Sequence, residues 1–474
     1  MKTPILGTAY MSQSHDLAVQ NCINLYMEIV ETKDAKEPGA LFGCPGLDFL
    51  AAVGIGPIRP GGLHVVENIL WVVSGSTVYL VTSSFQATAI GQLLTASGPV
   101  SIIDNGSQTC FSDGVALYVY SGALFQEVAL PGPGFPGTLI YQDTLGVFNQ
   151  LQSYSIYQSN PNDLTTWNAL NYSNADGSSD YIVGLGDFHR QMVVFKEDHL
   201  EFWINAGNQG FVFQRLDGVY PDIGCAAAAS IANCGEEICW LGRDRTGIQS
   251  VYVMGGYEPK RVSTHAIEYA ISKYATTSDA IGWSYLQEGH RFYVLSFPSG
   301  NTTWCLDLTA SAQLGYPAWH QRAAFGNGVF NIYEPNSVAN FAGKIVVGSS
   351  LGPNLYSLDL NTYLDNGKTR KWLRSWRAHS KAAIKSVPYR TLEIDMDTGN
   401  APVGTNPQLI LRYTDDGYTW SAERFVSAGG SGQYSQRVRF RRLGMERRGL
   451  ASDRTFELSG TDPMKVIILG GDIT

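Results

Sequence analysis

Apolar and polar residues alternate in short runs along most of the chain, which is the period of β-strands. From His64 onward one unit recurs: an alternating strand, a short turn rich in Gly, Asn or Asp, and a second strand that ends in aromatic residues. The seven degenerate copies follow one another at a spacing of roughly 40 residues, which is typical of propeller blades. The pattern therefore predicts an all-β protein with a β-propeller of six or seven blades. The copies are 69–73 with 78–81, 101–103 with 117–120, 139–141 with 146–148, 191–195 with 200–204, 237–241 with 250–253, 291–297 with 304–306, and 344–348 with 355–358.

Two segments depart from this pattern. Ile267, Ala270, Ile271 and Tyr274 recur at helical spacing, so a helix outside a blade is predicted over residues 265–274. Residues 17–30 have apolar spacing that suits a helix, yet their asparagines and β-branched residues also suit an extended arm. Both alternatives stay open for that segment.

The chain is predicted to divide into three parts. Residues 1–60 form an N-terminal arm with a strand that leads into the propeller, and residues 61–370 form the propeller itself. A segment rich in Lys, Arg and Trp at 368–377 marks the second boundary. Residues 371–474 are predicted to form a C-terminal β-sandwich. Its six strands are placed at 391–394, 409–413, 420–425, 437–441, 455–458 and 465–469.

One strand of the predicted sandwich carries an unusual number of arginines. Val438 and Phe440 are predicted to face the core, so the arginines that alternate with them face outward. Such a run exceeds what solubility requires in a chain with a formal charge of -9. We therefore expect a face that docks a partner. Its residues are Arg437, Arg439, Arg441, Arg442, Arg447 and Arg448.

Composition supports the all-β prediction and restricts the partners. Glycine (51 residues) and tyrosine (25) are abundant while only 16% of residues are charged, as expected of many short strands and tight turns. The net charge argues against a generic nucleic-acid coat protein, which is usually basic. Charge is also uneven: residues 377–474 carry 14 Lys/Arg against 11 Asp/Glu, a net +3, so the remainder carries -12. Different faces are expected to meet different partners.

The seven cysteines are scattered and contain no CxxC pair. This usage predicts neither a disulfide framework nor a zinc site, and suits folding in a reducing cytosol. No run approaches eighteen apolar residues, and the first residues lack a signal-peptide core, so no membrane span and no export by that route are expected.

A turn in the predicted sandwich resembles the Asp-box of sialidases. The match is Tyr413-x-Asp415-x-Gly417-x-Thr419-Trp420, with Tyr413 in place of the usual serine. In that family the box is a structural hairpin, in which the aspartate binds turn amides and the tryptophan packs inward. The resemblance implies that Asp415, Gly417 and Trp420 stabilise a hairpin. The neighbouring Asp416-Gly417 pair is itself a turn signal, because Gly tolerates positive φ and Asp can bind its own backbone.

Other chemical motifs favour structural interpretations. The G-x-S-x-G match at residues 348–352 is followed by a strand pattern instead of a helix, which predicts a hairpin turn. His265 and Glu268 could share a helix face as metal ligands, but a third ligand is missing. His290 and His320 are expected to be surface or structural histidines. The sequence thus predicts no catalytic set, no metal site and no cofactor.

Several short blocks of residues, spread over nearly the whole chain, form a pattern that is more specific than any single motif. The segment from Trp240 to Asp244 with the segment from Arg261 to Glu268 is the most specific of them. The others are Asn24-Leu25-Tyr26, Cys44-Pro45-Gly46-Leu47, Gly56-Pro57-Ile58-Arg59, residues 98–101 with 104–106, residues 223–227, residues 288–295, and residues 434–444. In this order the blocks resemble the packaged-DNA stabilisation proteins of short-tailed bacteriophages, the tail-hub family.

The resemblance implies a structural protein of the virion tail that is assembled in the cytoplasm of the bacterial host. It implies a ring of identical copies, expected to be a hexamer, beneath the portal and its adaptor ring, with a tail needle, tailspike or tail fibre below. Packaged double-stranded DNA would pass through the lumen of that ring, which the protein would close. An acidic body would repel DNA at close range and let it slide.

Two other functions remain open from the residues alone. The propeller could be a carbohydrate- or DNA-binding module without catalysis, and a DNA-binding module would show a steep salt dependence because phosphate contacts release counterions. It could also be a sialidase-like glycoside hydrolase, which would need convergent carboxylates in a cleft. Nothing in the sequence resembles the arginine triad or the tyrosine–glutamate pair of sialidases.

Overall fold

The computed structural model describes residues 2–13, 19–32, 37–378, 388–445 and 454–474. Strands dominate these residues, so the predicted all-β fold is confirmed. Six strands precede the first blade. They are β1 (Tyr10–Met11), β2 (Val19–Gln20), β3 (Cys22–Ile23), β4 (Leu25–Ile29), β5 (Gly39–Gly43) and β6 (Gly46–Ala52).

The next part of the chain forms blades one to four, each an antiparallel sheet of four strands. Blade one contains β7 (Ile58–Val66), β8 (Ile69–Ser74), β9 (Thr77–Val81) and β10 (Ala87–Gln92). Blade two contains β11 (Ser101–Asp104), β12 (Gln108–Ser112), β13 (Leu117–Ser121) and β14 (Leu124–Val128). Blade three contains β15 (Pro136–Gln142), β16 (Leu145–Gln150), β17 (Ser155–Asn160) and β18 (Asp163–Asn174). Blade four contains β19 (Ile182–Phe188), β20 (Gln191–Lys196), β21 (Leu200–Asn205) and β22 (Phe213–Arg215).

Blades five to seven differ from the simple arrangement of four consecutive strands. Blade five contains β23 (Ile223–Cys225), a 3-10 turn (Ala228–Ser230), β24 (Ala232–Asn233), β25 (Ile238–Asp244), β26 (Gln249–Met254) and β27 (Lys260–Arg261), and helix α1 (His265–Ile271) follows it. Blade six contains β28 (Ile281–Gln287), β29 (His290–Phe297), β30 (Thr302–Asp307), helix α2 (Leu308–Leu314), β31 (Ala318–Gly326) and β32 (Val329–Ile332). Blade seven contains β33 (Pro335–Phe341), β34 (Lys344–Ser349) and β35 (Asn354–Asp359).

The seven sheets close into a ring. Contacts between neighbouring blades run from β7 to β11, β15, β19, β24, β28 and β33, and β33 returns to β7. The fourth strand of blade seven is β6, which pairs antiparallel with β35 although about three hundred residues separate them. The ring is thus closed by hydrogen bonds between distant parts of the chain, and of the two predicted blade counts seven is the one observed.

The C-terminal part forms a sandwich of two sheets, as predicted. One sheet has the order β3-β36-β41-β38-β39 and the other β4-β5-β42-β37-β40. Each predicted sandwich strand has a counterpart, and β36 is an additional one. These strands are β36 (Trp372–Arg377), β37 (Pro388–Met396), β38 (Gln408–Thr414), β39 (Arg424–Ser427), β40 (Val438–Met445), β41 (Thr455–Gly460) and β42 (Ile467–Ile473).

Strands from the N-terminal segment complete the sandwich. The described residues of the 17–30 segment are extended, and β3 lies between β31 of blade six and β36 of the sandwich. The hairpin of β4 and β5 extends the second sheet, because β5 pairs with β42. One sheet therefore runs from blade six into the sandwich. The division at residues 60 and 370 stays a prediction, but sheet pairing crosses both positions.

The two α-helices of the described residues are short. The predicted helix is present as α1, which begins after the capping side chain of Thr264 and ends at Ile271, three residues earlier than expected. Helix α2 was not predicted, although Asp307 caps its start and Gly315 ends it with a positive φ of 74°. In the described part of the chain, neither helix has the length and apolar run that a membrane crossing needs.

Candidate functional site

The predicted docking face lies on β40, which pairs with β37 in the second sheet of the sandwich. Val438 and Phe440 are each 1% exposed and pack in the core, as the alternation predicted. Arg441 and Arg442 are both exposed, because Arg442 adopts a positive φ of 58° at an irregularity of the β37–β40 pairing. Such a bulge places two consecutive side chains on the solvent side of the strand. Arg447 and Arg448 lie outside the described residues.

Two of the arginines are bound within the chain. Arg437 donates two hydrogen bonds to the carboxylate of Glu393, at 2.7 and 3.0 Å. Arg439, which lies opposite Glu393 across the strand pair, donates from Nη2 at 2.6 Å. The hydrogen bonds from Arg437 and then Arg439 hold the pKa of Glu393 below its usual value. The charges of these two arginines are therefore partly neutralised. The sequence could not show this pairing, because it depends on the register of the strands.

Among the described arginines of this face, Arg441 and Arg442 remain available to a partner. Within the described residues, their side chains make no hydrogen bond or ion pair, and their backbone is fixed by a 2.8 Å bond from the Arg424 guanidinium to the Arg441 carbonyl. Two large apolar side chains on β39 and β40, two strands that contact each other, are also exposed, Phe425 by 58% and Met445 by 61%. Arginine, aromatic residues and methionine are the types enriched in protein–protein interfaces. We call Arg441, Arg442, Phe425 and Met445 the arginine face.

The hairpin that resembles an Asp-box is present, and its two aspartates, Asp415 and Asp416, bind different groups. Asp416 accepts hydrogen bonds from the amides of Tyr418 and Thr419 at 2.8 and 2.6 Å, and Gly417 has a positive φ of 77°. The amide of Thr419, followed by that of Tyr418, holds the pKa of Asp416 far below its usual value. The side chain that accepts from these turn amides is thus that of Asp416, one residue after the Asp415 that the resemblance indicated.

Asp415 and Trp420 instead hold the hairpin against the sandwich. Asp415 accepts two hydrogen bonds, at 2.6 and 2.9 Å, from Arg454, whose side chain is almost fully buried. Trp420 is half-buried beneath the guanidinium of Arg412, 4.5 Å from the ring centre. These contacts fix the end of the strand that precedes the turn.

The remaining candidates from the sequence are not brought together. Glu268 is bound by Arg261, Ser263 and Ser250, and these hydrogen bonds outweigh burial and lower its pKa. Its contact with His265 is longer, at 3.6 Å. In the stretches of chain that the structure describes, no three His, Cys, Asp or Glu side chains are grouped as metal ligands. Ser350 lies in the turn between β34 and β35, as predicted for a hairpin.

His290 is buried at the junction between the N-terminal hairpin and blade six. Its Nδ1 lies 2.6 Å from Asp307, its Nε2 lies 2.7 Å from Glu28 on β4, and its exposed fraction is 4%. Burial lowers the pKa, but the two carboxylates outweigh it and raise the pKa of His290 to about 9. The imidazolium therefore ties β4 to blade six. His320 is also buried, and burial holds its pKa well below the usual value.

This geometry predicts a loss of stability in alkaline solution. Protonated His290 should contribute about 3 kcal/mol, fully below pH 6.5, and the contribution should disappear as the pH rises through about 9. Thermal unfolding of the protein and of a His290→Gln variant, compared between pH 6 and 10, checks this. The difference between the two midpoints should shrink with increasing pH, and a constant difference would contradict the assignment.

Comparison with known protein families gives a match for each of the two parts of the chain. Residues 1–363 match a family model described as bacteriophage P22 Gp10, β-propeller, and residues 376–474 match the model described as bacteriophage P22 Gp10, β-sandwich. Among curated proteins, none matches the chain in sequence.

Three solved structures are similar to this chain at low sequence identity. A chain of a Saccharomyces cerevisiae complex of Dbp5 with Nup159 and Gle1 has 9% identity and a TM-score of 0.42, over 72% of this chain and 100% of that chain. The extracellular domain of the hybrid two-component system BT4673 of Bacteroides thetaiotaomicron has 9% identity and a TM-score of 0.44, over 81% and 47%. The Pan2 WD40 domain of Neurospora crassa has 9% identity and a TM-score of 0.41, over 64% and 88%.

Proposed function

The chain belongs to the bacteriophage P22 Gp10 family, and from that membership we propose that it is a structural tail hub without enzymatic activity. In this role it docks as a ring beneath the portal–adaptor complex, closes the DNA channel and stabilises the packaged DNA. It also carries the distal tail components, a needle, tailspike or fibre. The observation that carries the proposal is that the family matches cover the propeller and the sandwich in one chain.

The fold suits a part that must keep its shape under load. The propeller is closed by β6, and one sheet continues from blade six into the sandwich. A closed sheet ring has no long free edge, and paired strands transmit strain between the two parts. In a ring of copies, expected to be a hexamer, weak contacts also reinforce one another because linked sites raise the effective concentration.

Charge supports two different contacts in the assembly. The arginine face belongs to residues 377–474, which carry a net +3, and it suits an acidic surface on the adaptor ring. The rest of the chain carries -12, which would repel DNA at close range and let it slide through the lumen. A ring whose lumen is lined chiefly by Lys and Arg would contradict the second contact.

Assembly on purified particles tests the hub role. Light scattering gives the mass of the protein alone and after mixing with portal–adaptor particles, and negative-stain microscopy shows where it binds. Rings that form at the portal–adaptor end, with retention of packaged DNA, support the proposal. A protein that stays monomeric and ignores the particles would overturn it.

The arginine face has its own test. We expect Arg441→Glu with Arg442→Glu to weaken binding to portal–adaptor particles by at least roughly tenfold, because a face suited to an acidic surface becomes acidic. The fold should persist, since both side chains are exposed and make no hydrogen bond or ion pair within the described residues. Arg439 is avoided because reversing its charge would oppose Glu393. The matched control is Lys344→Glu with Lys368→Glu, two exposed lysines. Equal binding by both double variants would remove the docking role of this face.

A further inference from the structure

An open groove of about 710 Å³ lies between blades three and four. One wall is β18, the outermost strand of blade three, and the other is β22 with the loop that precedes it. This volume is in the range of small-molecule sites, about 300–1,000 Å³. Its exposed lining includes one aromatic side chain and several amides. These residues are Tyr172, Asn174, Asn208, Gln209 and Gln214.

The groove is held in shape by buried contacts. Gln158, which is 2% exposed, donates from Nε2 to the carbonyl of Gly210 at 2.8 Å and accepts from the amide of Val212 at 2.9 Å. The loop of blade four is thus fixed to blade three. Tyr172 is 46% exposed, and its ring stacks on Tyr157, with the centroids 5.6 Å apart. A supported aromatic ring can bind a flat apolar surface without an ordering cost of its own.

The polar side chains of the groove are available to a ligand. Asn208, Gln209 and Gln214 are exposed, and their side chains make no hydrogen bond within the part of the chain that the structure describes. Each amide offers both donors and an acceptor, which matches the hydroxyl groups of a sugar, since a hydroxyl also donates and accepts. The apolar face of a sugar ring can pack on the ring of Tyr172.

The charged side chains of the groove distinguish neutral ligands from acidic ones. The charged side chains that line the groove are Arg215, Asp176 and Asp217, one cation and two anions. The cation lies 4.0 Å from Asp217. A net negative lining disfavours nucleic acid, phosphate and acidic polysaccharides. We propose that this groove is a binding site for a neutral oligosaccharide, independent of the tail-hub role.

Binding to a microarray of neutral and acidic bacterial polysaccharides tests the proposal. The full chain should be retained by neutral glycans, and calorimetry with the best of them should give an affinity at least roughly tenfold lower for Tyr172→Ala and for Gln214→Ala. The matched controls are Tyr434→Ala, an exposed tyrosine of the sandwich, and Gln126→Ala, an exposed glutamine on the outermost strand of blade two. Both controls should bind as the unaltered protein does.

Three results would overturn the site. The first is that no neutral glycan is retained, and the second is that only acidic polysaccharides, DNA or an extended peptide paired with the edge of β18 are bound. The third is that Tyr172→Ala and Gln214→Ala bind as tightly as the controls. Circular dichroism of each variant confirms the fold, which these exposed side chains should not alter.

Discussion

A chain that lacks residues 1–43 is expected to lose the fold of its C-terminal sandwich completely. The deletion removes β3 from one sheet and the β4–β5 hairpin from the other. Leu25 and Leu41, both fully buried in the core that includes Trp376 and Ile468, are removed as well. Burial of side chains of this size contributes about 1.5–3 kcal/mol each, so the two leucines together account for about 3–6 kcal/mol. That is a large part of the roughly 5–15 kcal/mol that stabilises an ordinary domain, and the lost strand pairing adds to it.

One buried cation makes the deletion more costly. The side chain of Arg374, on β36, is 0% exposed, and among the described residues its hydrogen-bond acceptors all lie in the N-terminal segment. Its acceptors are the carbonyls of Ile5, Thr8 and Asn21, at 2.6, 3.2 and 3.3 Å, and the side chain of Gln20 at 3.3 Å. Without that segment a guanidinium would remain in the core with no acceptor, which costs several kcal/mol, about 3–5 by comparison with broken buried pairs.

The matched control is a rearranged fragment in which the N-terminal segment follows the C-terminal strands. Thr3 donates to the carbonyl of Gly471 at 2.9 Å, so the two ends of the chain are adjacent. We therefore expect residues 371–474, joined through a short linker to residues 1–43, to fold alone, whereas residues 371–474 by themselves do not. Near-ultraviolet circular dichroism and thermal denaturation of the two fragments show which of them is folded. A cooperative transition of residues 371–474 alone would contradict the prediction and would support the proposed boundary at residue 370.

The blades were predictable because their signals are local. Alternation within five or six residues, followed by a turn residue such as Gly75 or Gly343, specifies a hairpin without reference to the rest of the chain. The C-terminal strands follow from the same signals. Sheet partners between distant residues have no such signal, so the insertion of Cys22–Ile23 between β31 and β36 could not be read from the sequence. The strand is also too short to show a period.

The candidate site was predictable to the same extent. The alternation of Val438 and Phe440 with arginines indicated which side chains face solvent. Which arginines are neutralised depends on the register that sets Glu393 opposite Arg439, and on the bulge at Arg442. Phe425 comes from another strand altogether. The side chains of an interface converge through tertiary structure, so a pattern along one strand identifies only part of it.

Asn24→Ala is expected to destabilise the junction of the propeller and the sandwich by about 3–5 kcal/mol. Asn24 is 1% exposed. Its side-chain amide donates to the carbonyls of Ala323 and Lys371, each at 2.8 Å, and accepts from the amide of Ala323 at 3.0 Å. Its backbone has a positive φ of 56°, a conformation that asparagine tolerates and alanine does not. The substitution therefore leaves buried polar groups without partners and strains the chain.

Two further substitutions at this position separate the effect of the lost hydrogen bonds from the effect of the positive φ. Asn24→Gly loses the hydrogen bonds but accepts the positive φ, so it should be less destabilising than alanine by about 1 kcal/mol. Asn24→Asp keeps the shape, yet an ionised carboxylate cannot donate to two carbonyls and should be at least as destabilising as alanine. Urea denaturation monitored by tryptophan fluorescence measures all three. If the aspartate variant were as stable as the unaltered protein, the hydrogen bonds of Asn24 would not hold the junction, and the N-terminal strands would be fixed by apolar packing alone.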